Sequence, residues 1–316
     1  MKILVTGGTG FVGKPIVERL IQQGHHVVSP RRTTYGDGSL GEVVLVGEIN
    51  ANTDWSAALR GCEAVIHLAA QLPARSVPDE VFFGTNDRGT ARLTEQATAA
   101  GVRLFIYVSS IGAVVGHSAQ SPVTDDVATI GPTIYGRSKL NAEAHVSDFA
   151  AGERCGISLR PPILYGSGAR GNWQLMLRLA ASGLPLPFAS VNNRRHMMAA
   201  GNLVDAICHL IARNPPAAAS GAYAVADTEA LGLAQILRLL RGEMGLSSRL
   251  FPVPVGFLRA GFRMIGRHGI SDSLLESLEI NSQRFCATFD WRPVIGAEAA
   301  MRQSAQDFIG RKHLSR

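Results

Sequence analysis

Eight residues near the amino end, TGGTGFVG at 6–13, restrict the fold of this chain more than any other stretch. Gly7, Gly10 and Gly13 lie three apart, and the apolar run KILVTGG (2–8) leads into them. Aliphatic residues bounded by glycine read as a short strand. The following KPIVERLIQQG (14–24) repeats Ile16, Val17, Leu20 and Ile21 at helical spacing and stops at Gly24. A glycine triplet alone marks only a tight turn. Between a strand and a helix it predicts bare backbone that can approach a pyrophosphate, with the helix's partnerless N–H groups aimed at the anion.

Strand-like and helix-like segments then alternate. HHVVS (25–29), EVVLVG (42–47), EAVIHLAA (63–70), LFIYVSS (104–110) and GISLRPP (156–162) predict five further strands. Helices are expected between them: DWSAALRG with Asp54 as N-cap, a long one around 85–100 and one near 135–151. Short β-branched runs joined by helices predict an α/β fold, a doubly wound parallel sheet of the Rossmann type covered on both faces. After about residue 165 helical stretches dominate: NWQLMLRLAASG, NLVDAICHLIARN, LAQILRLLRGEMG and VGFLRAGFRMIGR. Two regions are therefore expected, 1–165 and a smaller, mostly helical 166–316, some of whose segments return to the sheet. The span 252–265, PVPVGFLRAGFRMI, fits either a helix on a membrane surface or one in a core or interface; its few charges favour the second.

Composition excludes several classes. No run of about 20 uncharged apolar residues occurs, so no spanning helix or membrane insertion is expected. A strand beginning at residue 2 leaves no room for a cleaved leader, which makes the cytoplasm the expected location. Cys62, Cys155, Cys208 and Cys286 are scattered, neither a disulfide framework nor a zinc site, and no metal is expected. The net charge of +6 is spread along the chain and aromatic content is 6%, which argues against nucleic acid as a partner. The short pairs Arg31-Arg32 and Arg194-Arg195 suit phosphates on small molecules, because the guanidinium fork matches phosphate oxygens.

The end of the second strand carries a further signal, HVVSPRRTT (26–34). A dinucleotide-binding sheet that takes NAD usually places an acid there for the ribose 2′-hydroxyl. Here Ser29 can donate a hydrogen bond, and Arg31 and Arg32 can pair with a 2′-phosphate. The expectation is a preference for NADP(H), with NAD(H) possible; the competing reading is two solvated loop arginines.

YGRSK (135–139) sets Tyr135 and Lys139 four apart, on one face of a helix. A phenol with a pKa near 10 is a poor acid–base group at neutral pH, and a nearby ammonium is expected to lower it. Ser109 and Ser110 end the fifth strand, where a hydroxyl can hold a substrate oxygen as charge develops.

Together these motifs resemble the extended short-chain dehydrogenases/reductases of the nucleotide-sugar epimerase/dehydratase group. The similarity runs through TGGTGFVG, HLAA (67–70), NDRGT (86–90), VSSIGAV (108–114), YGRSK and LRPPILYGSG (159–168). It continues in NNRRHMMAAGNLVDAI (192–207) and FDWRP (289–293). The resemblance implies a cofactor domain over 1–165 and a mainly nucleotide-sugar-binding 166–316. It implies that Gly7, Gly10, Phe11, Val12 and Gly13 form the pyrophosphate loop, and that Ala69 and Ala70 lie beside the adenine-side ribose. Tyr135 corresponds to the acid–base residue and Lys139 to its partner; Pro162 and Ile163 flank the nicotinamide. Asn172 and Arg195 fall where the family holds UDP. SSIGAVVG departs from the usual pattern, so anchoring on SSI selects Ser110 as the hydroxyl, with Ser109 in reserve, whereas counting back from VVG reaches Ile111.

Within the group the chain is most similar to bacterial proteins acting at carbon 4 of UDP-linked N-acetylhexosamines for surface polysaccharide, and relatives commonly form homodimers. The arginines favour an NADPH-consuming 4-keto reductase giving a UDP-6-deoxy-N-acetylhexosamine. The alternative is an NAD-dependent 4-epimerase of UDP-glucose or UDP-N-acetylglucosamine. A non-catalytic NADP-sensing protein is a third reading, and the Tyr135–Lys139 pair speaks against it.

Overall fold

The computed structural model describes residues 1–33, 40–74, 77–129, 133–264, 266 and 268–314. Its strands are β1 (Lys2–Thr6), β2 (His26–Arg31), β3 (Glu42–Leu45), β4 (Ala64–His67), β5 (Leu104–Val108), β6 (Cys155–Arg160), β7 (Leu164–Tyr165), β8 (Met198–Ala199) and β9 (Gly221–Ala224). One sheet runs β3-β2-β1-β4-β5-β6-β9, and β7 pairs with β8. Every pairing is parallel. The helices of the first half are α1 (Gly13–Gln22), α2 (Ser56–Leu59), α3 (Asp79–Phe82), α4 (Gly89–Ala99) and α5 (Ile134–Phe149). The later ones are α6 (Asn172–Ala181), α7 (Ala200–Arg213), α8 (Leu233–Glu243), α9 (Val255–Met264), α10 (His268–Leu275), α11 (Gln283–Phe289) and α12 (Ala297–Leu314).

Side-chain alternation divides the sheet's two faces. Ile3 and Val5 of β1 join Ile16 and Leu20 of α1 and Leu203 and Ile207 of α7 in one core. Leu4 points the other way, to Trp55, Leu93 and Phe105. Where both faces are covered, as at β4 (AVIH) and β5 (LFIYV), the strands are nearly continuous apolar runs. The Rossmann-type α/β expectation is met, and the later half takes part in it. β9 pairs with β6, and α7 packs across α1 with an Arg19–Asp205 ion pair of 2.7 Å. A separate core forms among α6, α8 and α12 around Trp173, Leu177, Leu237, Leu240 and Met301.

Three local expectations are corrected. The long helix begins earlier than 85, with α3, and passes through a π-helical turn at Phe83–Arg88 before α4. Asp54 is not the N-cap of α2. It stands one place earlier, where its carboxylate accepts from Ser56 N at 2.9 Å and starts the turn. Helix α9 was expected in a core or interface, yet none of its residues is buried. Its partners cover only one side: Val255, Leu258 and Phe262 lie against the second core. The four thiols are free, three buried and Cys286 half-buried. Among the described residues no helix is long and apolar enough to cross a membrane.

Candidate active site

The chain leaves β1 toward β2 and β3 and returns on the other side at β4, so the order reverses between β1 and β4. A doubly wound sheet opens a crevice at such a point, beyond the carboxyl ends of its strands. The glycine loop follows β1 into this edge. Gly7 has φ +68°, and a Cβ there would sit 3.0 Å from Ala69 N. At Gly13 a Cβ would lie 2.1 Å from the Gly7 carbonyl oxygen, so α1 starts this close to the turn only because the residue is glycine. No side chain caps α1 at Val12. Its amino end therefore keeps the donors and partial charge that suit a diphosphate. Ala69 N donates to Thr6 Oγ1 at 3.1 Å, which seats half-buried Ala69 and Ala70 against the loop. His67 below them bonds Thr6 and Thr90, and burial pushes it down to about 3, so it packs as a neutral ring.

At the end of β2 the three candidates separate. Ser29 is buried and its hydroxyl donates to Leu40 O at 3.2 Å, close beside Gly8. Arg32 is exposed and pairs with exposed Glu48 at 3.5 Å. Arg31 differs: the residue is half-buried, and its Nε and Nη2 are buried and meet no hydrogen-bond acceptor among the described residues. A guanidinium removed from water without an acceptor is costly, and a phosphate would supply the missing oxygens. The glycine cradle fits the diphosphate of a dinucleotide.

The expected acid–base group lies further along the edge. Thr133 caps α5 by accepting from Gly136 N at 3.1 Å, which puts Tyr135 in the first turn. Ser110 leaves β5 with extended backbone, and its Oγ accepts from Gly112 N at 3.1 Å. The Ser110 hydroxyl also lies near enough to the Tyr135 phenol to oppose the rise in its pKa. Ser109 points elsewhere, donating to Glu143. Of the two serines, the structure brings Ser110 to Tyr135.

The pKa expectation is corrected. Tyr135 is pushed up to about 12, because burial of the phenol outweighs the opposing influence of Ser110. Lys139, 2% exposed, does not lower it as the side chains stand. Its ammonium donates to Val108 O at 2.7 Å and sits 4.4 Å over the Tyr107 ring. Burial moves Lys139 down to about 7, with Glu143 pulling it back up. The phenol is therefore a held proton at neutral pH, and the lysine is poised to change charge there.

Several polar residues not singled out in the sequence hold this arrangement. Asn86, in the π-helical turn, is 1% exposed and bonds Gln71 N, Gln71 O and Ser138 Oγ. Ser138 in turn donates to Tyr135 O. Glu143, one turn past Lys139, receives Arg160 through Nε and Nη2. The signal was present in part: Tyr135, Lys139 and Glu143 continue one spacing of four.

A cavity of about 760 Å³ lies beside α6, with Ile163, Asn172, Trp173, Met176, Asn193 and Arg195 in its wall. Pro162 is buried just before it. Asn172 and Arg195 thus share a cavity. The Arg195 guanidinium is already engaged, however: Nη1 donates to Glu276 O at 2.8 Å and Asp272 O at 3.4 Å, and Nη2 to His117 O at 2.9 Å. Burial lowers it to about 10. A separate cavity of about 610 Å³, lined by Arg170, Arg178 and Arg311, contains none of the expected site residues.

Known proteins share this architecture. The model of the NAD dependent epimerase/dehydratase family matches residues 3–226. A UDP-glucose 4-epimerase of Vibrio cholerae is 31% identical over 321 residues, covering 97% of this chain and 95% of that protein. The crystal structure of UDP-N-acetylglucosamine 4-epimerase from Bacillus cereus superposes with a TM-score of 0.78 at 20% identity, over 97% of this chain and 98% of its own. A Bordetella bronchiseptica enzyme solved in complex with NAD and UDP gives 0.74 at 17% identity, over 98% of this chain and 95% of its own. The two structural likenesses establish the fold.

Proposed function

The chain belongs to the NAD-dependent epimerase/dehydratase family, and from that premise we propose that it performs hydride chemistry at carbon 4 of a UDP-activated sugar. The observation that carries the proposal is the nearness of Tyr135 to Ser110 at the carboxyl end of β5, on the same edge of the sheet that the glycine loop leaves after β1. In this reading Gly7, Gly10, Phe11, Val12, Gly13 and the amino end of α1 hold the cofactor's diphosphate. Ala69 and Ala70 line its adenine-side ribose, and Pro162 and Ile163 its nicotinamide end. The bound nicotinamide supplies or accepts the hydride. Tyr135 moves the proton at the sugar's 4-oxygen, Ser110 orients that oxygen, and Asn172 and Arg195 position the UDP end. Lys139, one turn along α5 with its ammonium resting on Val108 O, is the cationic partner that the resemblance assigns to the phenol. General acid–base help of this kind contributes about 10²–10⁴-fold.

The direction we favour is reduction of a 4-keto sugar with NADPH, giving a UDP-6-deoxy-N-acetylhexosamine. Two observations support it. Two buried nitrogens of the Arg31 guanidinium lack an acceptor among the described residues, and a 2′-phosphate would supply one. Tyr135, pushed up to about 12, holds its proton at neutral pH, as an acid donating to a forming alkoxide must. A second reading, 4-epimerisation with retained NAD, draws on the Vibrio cholerae relative, which is a UDP-glucose 4-epimerase.

Incubation with UDP-sugars and their 4-keto derivatives, following NADPH absorbance and the sugar's stereochemistry, separates the readings. Absorbance loss with a 4-keto sugar is the expected result. An isomerised sugar without absorbance loss means epimerisation, and no change in either overturns the proposal.

A further inference from the structure

Helix α9 breaks the ordinary pattern of a surface helix. Its inward side, Val255, Leu258 and Phe262, rests on the second core. Its outward side is also apolar: Phe257 is 73% exposed and Met264 84%, with exposed Ala260 between them. Positions 257, 260 and 264 fall on one helical face. A helix that is apolar on both sides is ordinarily covered on both, and here the chain covers one. Phe251, shortly before the helix, is 43% exposed as well.

Charge indicates what the uncovered side meets. From Met244 to Ser271 the sequence contains no aspartate or glutamate. Arg259 is neutralised by Glu276 of the neighbouring segment. Arg249 and Arg263 are exposed and form no ion pair among the described residues. A two-fold contact between copies through this face would bring together two faces that carry arginine and no acid. A lipid surface carrying phosphates has the opposite charge and an apolar interior at the depth of Phe257 and Met264.

We propose that α9 docks on an anionic lipid surface, with Phe257 and Met264 entering the headgroup–acyl boundary and Arg249 and Arg263 meeting lipid phosphates. The docked helix leads directly into Gly266, Gly269, Ser273 and Leu274, which line the cavity shared by Asn172 and Arg195. Substrate and product would then exchange close to the membrane plane, with no segment crossing it.

Co-sedimentation of the full chain with vesicles tests this. Wild type is expected to pellet with vesicles containing phosphatidylglycerol, to lose binding as salt rises, and to stay free with phosphatidylcholine alone. The double variant Phe257→Glu, Met264→Glu should bind about tenfold or more weakly, since two anchors leave the apolar layer. Its melting temperature and NADPH affinity should match wild type, because neither residue is buried. Failure of wild type to sediment with anionic vesicles overturns the proposal, as does equal binding by the variant. A concentration-dependent dimer that the variant abolishes, without lipid binding, would overturn it too and make the face a contact between copies.

Discussion

The carboxyl edge of the sheet and the outer face of α9 invert the usual partition of side chains in opposite directions. The edge buries charge: Lys139 is 2% exposed, Glu143 and Arg160 each 7%. Helix α9 exposes Phe257 and Met264. Polar groups inside and large apolar groups outside are the informative exceptions, and partnership tells the two apart. Glu143 is met by Arg160 and Ser109, and Lys139 by Val108 O and the Tyr107 ring. These groups are satisfied within the chain and act as fixed machinery. Two nitrogens of the Arg31 guanidinium and the outer face of α9 are not satisfied among the described residues. Unmatched groups of that kind mark where something outside the chain completes the structure.

Tyr135→Phe probes the machinery most severely. Turnover should fall about 10²–10⁴-fold while the dissociation constant for NADPH stays within about twofold. Near-normal turnover would remove the phenol from proton transfer. Next in size is Glu143→Ala, which strands Arg160 in the interior. Loss of one partner of a buried pair costs about 3–5 kcal/mol in denaturant unfolding. A change under about 1 kcal/mol would show that the network is not held as described.

Arg31→Ala sharpens the contrast between matched and unmatched groups. NADPH binding should weaken about tenfold or more, and NADH binding should barely change. Equal losses for the two cofactors would make Arg31 a structural residue. Arg32→Ala, whose pair with Glu48 lies in solvent, should shift stability by less than about 1 kcal/mol.

A further expected effect is on pH dependence. Lys139 is lowered to about 7 by burial, whereas a lysine in the unfolded chain titrates near about 10.4. Between those values the unfolded chain binds one more proton than the folded one, so stability rises with pH across that window. Below the folded value both states carry the proton, and the burden of a buried ammonium is felt in full. Lys139→Met should remove this rise, measured as the slope of melting temperature against pH. Parallel slopes in wild type and variant would assign the titration elsewhere.

Much of this was legible in the sequence. The six strands read from aliphatic runs such as LFIYV and AVIH are present in the sheet, because parallel strands buried on both faces must be apolar throughout. The chain's return as β9 was foreseen only in general terms, since GAYA is too short to read by period. Side-chain direction was less legible. Ser109 and Ser110 are equivalent on paper, and only the bend after β5 sends one to Glu143 and the other to Tyr135. The sign of the Tyr135 shift depended on burial, which the four-residue spacing to Lys139 does not encode. Helix α9 has the same periodicity whether its second side is covered or open. Asn86 and Arg160 matter through partners far away in sequence, beyond the reach of any local pattern.

The central claim is that the edge carrying Tyr135 and Ser110 performs hydride chemistry at carbon 4. Its most direct measurement is isotope transfer: NADPH deuterated at the transferring position, a UDP-4-keto sugar, and nuclear magnetic resonance of the product. The account predicts deuterium at carbon 4 of the sugar. Sugar reduced without the label, or label found at another carbon, would contradict it.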